Sequence, residues 1–437
     1  MKIPRRIAQT LISSLKGGVV PRVGLSYITV GRKAEIDALL HDVDIISEGG
    51  ASFRFIVGRY GSGKSFLLQT IRNYVMAKNF VVVDADLSPE RRLQGTRGQG
   101  LATYRELIRN MSTKTRPEGG ALPLILERWL SGIQQEAMAA CGLGMSDPQL
   151  APQVEKRISA VIGSLSEMVH GFDFSRLLTL YYRAYLSGDD ETKAKVLKWF
   201  RGEYATKTEA RQELGVNIVI TDDDWYEYLK LFACFLKQAN YAGMLVLIDE
   251  LVNIYKIPHA ITRQYNYEKI LTMYNDTMQG KAQHLGIILC GTPQCMEDPR
   301  RGIYSYEALR SRLAQGRFSG QHRDVLSPVI RISPLSPEEM LILVEKLADI
   351  HAGLYEYPQR LTGQDMADFI EIEFGRIGAD AQITPREVIR DFIEVLDIIY
   401  QNPEVKVRAL LGSGEFAYAK NAVQESSADP EFAEFEL

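Results

Sequence analysis

Five short apolar runs lie along the chain, and each has the length and the content of β-branched residues of a buried strand. They cover residues 52–57, 80–85, 244–248, 286–290 and 329–332. Stretches with apolar residues at helical spacing separate most of them, beginning with Phe66, Leu67, Ile71 and Val75 after the first run. Continuous apolar strands joined by helical crossovers are typical of a parallel sheet covered on both faces. The pattern therefore predicts an α/β fold with a five-stranded parallel sheet.

The same pattern divides the chain into segments. Between the second and third strands we expect helices at 101–111, 122–140 and 154–169, with 216–220 as the one further candidate strand. After the fifth strand, Ser336 and Thr384 each begin a capping box with proline at the first helical position, and another helix is expected at 364–376. The predicted segments are an N-terminal arm (1–34), a sheet core (35–93 and 242–334), a helical insertion (94–241), a helical lid (335–402) and an acidic tail (403–437).

Composition excludes several classes of protein. The 437 residues are 46% apolar and 24% charged, which excludes a disordered chain, a collagen and a disulfide scaffold. The net charge of -4 does not mark the whole surface as a binder of nucleic acid. The four cysteines have no metal-ligand spacing, and no run of apolar residues is long enough for a signal peptide or a membrane span. We expect a soluble cytoplasmic protein without a membrane partner.

The N-terminal arm contains seven Lys or Arg residues and no acid. Such an end most often is solvated and mobile, and contact with phosphate backbones or with an acidic partner is the alternative.

The segment 58–65 matches the P-loop pattern GxxxxGK[ST] and stands between a predicted strand and a predicted helix. Gly58, Gly61 and Gly63 let the loop curl so that backbone N–H groups point at phosphates, while Lys64 reaches the β- and γ-phosphates and Ser65 binds Mg²⁺. A glycine-rich turn that only caps a helix is the alternative. Tyr60 and Ser62 in this segment, and Phe66 directly after it, are also expected to contact the nucleotide.

Two adjacent acids, Asp249 and Glu250, end the third strand. Beside a P-loop, Asp249 is expected to hold Mg²⁺ and Glu250 to polarise the attacking water, whereas two exposed acids at a strand end are the simpler interpretation. Thr292 follows the fourth strand, where it either contacts the γ-phosphate and the water or acts as a turn residue before Pro293.

Arginines supply the remaining candidates. Arg310 and Arg312 are two residues apart, so on a helix only one of them can point at a given phosphate. One is an arginine finger for a neighbouring subunit, or the pair belongs to a nucleic-acid patch or a solvated cluster. Arg386 begins a lid helix, where a cation is unfavourable unless it faces an anion. Gly31 and Arg32 precede a helix and are placed to cover the base of a nucleotide.

In this order, the motifs resemble those of the AAA+ ATPases, particularly the origin-recognition and helicase-loader branch, over residues 30–400. A closer resemblance is to the ATP-binding proteins of bacterial BREX-type phage-defence systems. It rests on the stretches 104–110, 119–122, 126–129, 246–251, 274–276 and 301–313.

The resemblance implies a P-loop ATPase core, ATP and Mg²⁺ as cofactors, and ATP hydrolysis. It also implies a homo-oligomer in which each subunit donates an arginine to the site of its neighbour. It also implies partnership with a helicase, with other defence proteins or with DNA. Two departures stand out. Thr292 occupies a position where these ATPases usually carry Asn, and the chain after Gln401 is too short for a winged-helix DNA-binding domain. A nucleotide-gated scaffold and a DNA-binding regulator therefore remain alternatives to a motor.

Overall fold

The structure is a computed structural model that describes residues 3–145, 147–316, 324–375 and 384–412. Its centre is a five-stranded sheet in the order β2-β3-β4-β1-β5, and every pair of neighbouring strands is parallel. The strands are Ala51–Val57 (β1), Val81–Asp86 (β2), Met244–Asp249 (β3), Leu285–Gly291 (β4) and Val329–Arg331 (β5). The predicted α/β fold with its parallel sheet is confirmed.

Helices occupy most of the remaining described chain. Numbered α1 to α18, they span Arg5–Lys16, Lys33–Ser47, Lys64–Ala77, Gln99–Arg109, Leu122–Cys141, Leu150–Ser166, Gly171–Ser187, Asp190–Phe200, Lys207–Leu214, Trp225–Gln238, Val252–Tyr255, Ala260–Met278, Pro293–Glu297, Glu307–Leu313, Pro337–Tyr355, Gly363–Gly375, Pro385–Gln401 and Val407–Leu411. Both predicted capping boxes form: Ser336 and Thr384 each exchange hydrogen bonds with the glutamate three residues later. None of the helices described is long and apolar enough to cross a membrane.

The chain divides into two compact units. The larger unit, residues 34–59 and 71–331, contains the whole sheet and helices α4 to α14. One continuous hydrophobic cluster runs from sheet residues such as Phe53 and Val246 to Trp199 and Phe232 in the helical insertion. The insertion and the sheet thus share a core rather than packing as separate bodies.

The segment 216–220 is not a strand in the structure, so this expectation was wrong. Val216 and Ile220 are buried, which explains the apolar pattern, but the indole Nε1 of Trp199 donates to the carbonyl of Ile218 at 2.8 Å. A side chain satisfies that backbone group in place of a neighbouring strand.

The smaller unit comprises residues 1–33, 60–70 and 332–437 and has its own core. Helix α1 packs on α15 and α17 of the lid, and it buries Ala8, Leu11, Ile12 and Leu15. The N-terminal arm is therefore a docked amphipathic helix over residues 5–16 and not a solvated end, because its apolar residues recur at helical spacing between the basic ones. The acidic tail beyond residue 412 lies outside the described residues.

A buried histidine joins two lid helices. His351 of α15 is fully buried, with Nε2 3.1 Å from Oδ1 of Asp397 and Nδ1 2.9 Å from the hydroxyl of Tyr357. Lys16 of α1 donates to the other oxygen of Asp397 at 2.6 Å. Burial lowers the pKa of His351 below its ordinary value of 6.5, and hydrogen bonding to Asp397 opposes this shift only in part.

We expect the smaller unit to lose stability as the pH falls below about 6.5. The unfolded chain binds a proton at His351 at a higher pH than the folded chain does, so acidification favours unfolding in that window. Thermal melts of wild type and His351→Gln between pH 5.5 and 7.5 should show a smaller pH dependence in the variant. His41→Gln, at an exposed histidine, is the control and should keep the wild-type profile. Equal profiles for wild type and His351→Gln would refute this assignment.

Candidate functional site

In the larger unit, the parallel register brings the carboxyl ends of three strands to one edge of the sheet. Val57 pairs with Gly291, and Ile248 pairs with Leu289. Because β4 lies between β1 and β3, the tip of β4 lies between the start of the P-loop and the end of β3. The N–H of Gly58 donates to the carbonyl of Gly291 at 3.1 Å, which continues the ladder by one residue into the P-loop.

The end of β3 carries both predicted acids at this edge. Asp249 is buried at 9% exposure and Glu250 is half-buried. Glu250 has a φ of 63°, in the left-handed region, and its N–H donates to Oδ1 of Asp249 at 2.7 Å. A non-glycine residue in this region stores backbone strain, which proteins concentrate at functional sites.

A third acid lies beside this pair. Asp86 ends β2 in register with Asp249, and burial together with the charges of Asp249, Asp84 and Glu250 raises its pKa to about 6. The other acid of β2, Asp84, forms an ion pair with the buried Arg72 at 3.4 Å, which compensates its charge. The acidic edge therefore consists of Asp249, Glu250 and Asp86.

This acidic edge fits a hydrated divalent cation better than a metal held by protein alone. Within the described residues, no three His, Cys, Asp or Glu side chains form a metal-binding group. Mg²⁺ commonly takes one or two carboxylates and completes its shell with waters and phosphates. The donor set at the tip of β3 is compatible with that mode.

Thr292 is buried at the tip of β4 and caps α13. Its Oγ1 accepts a bond from the N–H of Cys295 at 3.3 Å. The turn role is therefore present in the structure. In the capping bond the Thr292 oxygen is only an acceptor, so its O–H group can still donate a hydrogen bond to a ligand.

In the smaller unit, the crest of the P-loop has the features of an anion cradle. Gly61 and Gly63 have φ of 75° and 97°, and α3 begins at Lys64. The ammonium of Lys64 lies 5.4 Å from the ring centroid of the exposed Tyr60. The hydroxyl of Ser62 is buried and has no hydrogen-bond partner among the described residues, as expected for a loop shaped around a ligand.

Arg32 is tied directly to this crest. Its guanidinium is buried and donates to the carbonyl of Ser62 at 3.1 Å and to that of Ser333 at 2.9 Å. Gly31 has a φ of 68°, and a Cβ atom there would lie 2.6 Å from the carboxylate of Glu339. Arg32 thus contacts the backbone of the loop, and Gly31 lies against Glu339 and Leu335; that the two residues cover the base of a nucleotide stays a prediction.

The lid reaches the same crest within the smaller unit. A Cβ on Gly61 would lie 2.7 Å from Oγ1 of Thr384, the residue that caps α17. Arg386, two residues further on, is exposed at the start of that helix. Phe66 packs against the hydrophobic core of this unit.

Both candidate finger arginines are exposed on the short helix α14 of the larger unit. Arg310 pairs loosely with Glu307 at 3.6 Å, and Arg312 donates to the carbonyl of Ala308 at 2.6 Å. The hydroxyl of Tyr304 donates to the carbonyl of Leu313 at 2.8 Å and fixes the end of this helix.

Two further residues at the acidic edge stand out only in the structure. Asp86 is exposed, and its pairing with Asp249 places it at this edge of the sheet. Asn253, three residues after Glu250, bonds to carbonyls of both Glu250 and Leu87. No local pattern indicates this role, since Leu87 is distant in sequence.

Comparison with known proteins places these motifs in context. A family model described as BREX system ATP-binding protein BrxC/D matches residues 3–415, which is nearly the whole chain. No curated protein matches the chain.

A matched pair of glycines tests the close approach at Gly31. Gly31 and Gly18 have nearly equal φ of 68° and 69°, so alanine carries the same backbone strain at both, roughly 1–2 kcal/mol. Only at Gly31 does the new methyl group meet Glu339 and Leu335, whereas nothing lies within 4 Å at Gly18. We expect Gly31→Ala to lower the free energy of unfolding by about 1–3 kcal/mol more than Gly18→Ala in denaturant titrations. Equal losses would show that this packing contributes nothing.

Proposed function

Because the chain belongs to the family of BREX system ATP-binding proteins BrxC/D, we propose that it binds MgATP at its P-loop and hydrolyses it to switch a phage-defence complex. The observation that carries this proposal is the order of the strand tips. The P-loop leaves β1, Thr292 follows the adjacent β4, and Asp249 and Glu250 end the next strand, all at one sheet edge. In the proposed function, this order would place the phosphates, the metal and the attacking water in a row.

The phosphates would be held by the backbone N–H groups of the P-loop and by the N-terminus of α3, where Lys64 and Ser65 begin the helix. Lys64 would bind the β- and γ-phosphates, and Ser65 and Asp249 would hold the metal. Bound Mg²⁺ neutralises charge on the phosphate oxygens. The aromatic ring of Tyr60 beside Lys64 keeps its ammonium at the loop when phosphate is absent.

Glu250 would orient and deprotonate the attacking water. It is the residue directly after Asp249, the proposed metal ligand, so its carboxylate would lie near the metal and the γ-phosphate. The hydroxyl of Thr292 would donate a hydrogen bond to the γ-phosphate or to that water. A threonine that also caps α13 is more constrained than a free amide side chain. The capping bond keeps the hydroxyl at the tip of β4.

Coupling to the lid would run through α17. Thr384 lies against Gly61, and Arg386 stands on the first turn of the same helix. An exposed cation at a helix N-terminus is stabilised by a nearby anion, which the γ-phosphate would supply. Loss of that phosphate removes the contact, so the two nucleotide states differ in lid contacts, as a switch requires.

Exposure of Arg310 and Arg312 supports assembly into a homo-oligomer, in which one of them stabilises the charge on a neighbour's γ-phosphate. The partners would be a helicase or other proteins of the defence system, with DNA as a further ligand. In a second candidate function, ATP binding alone organises the complex. Thr292 favours it, because its hydroxyl has one donor at a position where the resembled ATPases usually carry an Asn amide with two.

Two substitutions separate binding from turnover. Lys64→Ala should lose affinity for MgATP, whereas Glu250→Gln should bind it normally and hydrolyse it about 10²- to 10⁴-fold more slowly. Calorimetry and phosphate release measure the two properties. Glu48→Gln makes the same chemical change at an exposed glutamate and should match wild type. If Glu250→Gln hydrolyses ATP at the wild-type rate, the proposed water-activating role is wrong. If it lacks turnover and still protects cells from phage, the scaffold function replaces the motor.

Mixing experiments test the shared arginine. Arg310→Ala or Arg312→Ala should reduce turnover about 10³-fold or more, while Arg109→Ala, at an exposed arginine on α4, should not. Adding inactive Lys64→Ala subunits should restore activity to the inactive arginine variant, because a mixed interface pairs an intact P-loop with an intact arginine. No recovery on mixing would exclude a finger acting between subunits.

A further inference from the structure

The backbone of Glu250 is held in an unfavourable conformation by specific contacts. With φ at 63°, a glutamate persists there only because its surroundings over-determine it. On one side, its N–H donates to Asp249 at 2.7 Å. On the other side, the N–H of Leu251 donates to the carbonyl of Cys290 in β4 at 3.0 Å.

The carbonyl of Glu250 is held by Asn253. It accepts from the backbone N–H of Asn253 at 2.9 Å and from the side-chain Nδ2 at 3.3 Å. The same Nδ2 donates to the carbonyl of Leu87 at 2.8 Å, just beyond the end of β2. A side-chain amide has two hydrogens, so one group can satisfy both carbonyls.

Asn253 therefore connects the turn at Glu250 to β2, while the Leu251 bond connects it to β4. The N–H of Leu87 also donates to the carbonyl of Asp249 at 3.1 Å, so the β2–β3 ladder continues to the residue before the turn. With all these contacts in place, the peptide groups on both sides of Glu250 are fixed relative to the sheet. The direction of the Cα–Cβ bond of Glu250, from which its side chain extends, follows from them.

We propose that Asn253 is a positioning residue for Glu250, an inference that rests on the proposed ATP hydrolysis. Its side chain holds the left-handed turn in register with β2 and so aims the carboxylate at the attacking water. Catalytic groups need placement to within about 0.5 Å. A displacement of about 1 Å costs about 10²-fold in rate. Asn253 also lies at the second position of the four-residue helix α11. If its role were purely structural, replacing it would lower stability and leave kcat unchanged.

The test compares Asn253→Ala with Asn79→Ala. Asn79 is also an asparagine whose Nδ2 donates to a backbone carbonyl, that of Asn240 at 2.7 Å, and it has a left-handed φ of 65°. Asn79→Ala should lower the melting temperature at least as much as Asn253→Ala, because alanine is strained there. Asn253→Ala should reduce kcat for ATP about 10- to 100-fold with unchanged MgATP affinity, and Asn79→Ala should leave kcat unchanged.

Two further readouts exclude a merely structural role. In a Glu250→Gln background, Asn253→Ala should cause no additional loss of kcat, because a residue that acts through Glu250 has nothing left to position. In nucleotide-free protein, Asn253→Ala should accelerate hydrogen exchange at the amides of Leu251 and Asn253 but not at strand amides.

The outcomes are distinguishable. If wild type hydrolyses ATP and Asn253→Ala retains its kcat, or if the double variant loses further activity, the positioning role is refuted and the proposed function stands. If wild type binds but does not hydrolyse ATP, the proposed hydrolysis fails and the positioning role fails with it.

Discussion

The parallel pairing of β1, β4 and β3 is the constraint on which the remaining structure depends. Hydrogen bonds between these strands set the register that brings Gly58, Thr292 and Asp249 to one edge of the sheet. A shift of two residues in either ladder would move a tip by about 6.6 Å, more than the reach of a metal bridge between them. The apolar interior of the strands enforces the register, because most of their side chains are buried.

Left-handed backbone conformations occur next to that edge and at the P-loop, as they do at several other turns of the described chain. Gly31, Gly61 and Gly63 adopt left-handed conformations, and at Gly31 and Gly61 a Cβ atom would also collide with lid residues. Glu250 adopts the same conformation without the freedom of glycine. Neighbouring hydrogen bonds from Asp249, Leu251 and Asn253 maintain the turn there.

The smaller unit joins segments that are far apart in sequence. Helix α1, the P-loop crest and the lid share one unit, in which Arg32 bonds to Ser62 and Thr384 lies against Gly61. The crest and the first turn of α17 are therefore neighbours within this unit. Docking of α1 on α15 and α17 makes the N-terminal residues part of this lid body.

The sequence alone determined the local features: the five strands, both capping boxes and the P-loop, because each depends on residues close together in the chain. It also indicated the acids after β3 and the threonine after β4 as site candidates. Only the tertiary structure decided that α1 is docked, that residues 216–220 are not a strand, and that Asp86 joins the acidic edge. The contact of Asn253 with Leu87 was decided in the same way. Each of these depends on a partner far away in sequence, such as Trp199 for Ile218, and apolar periodicity records burial without recording the partner.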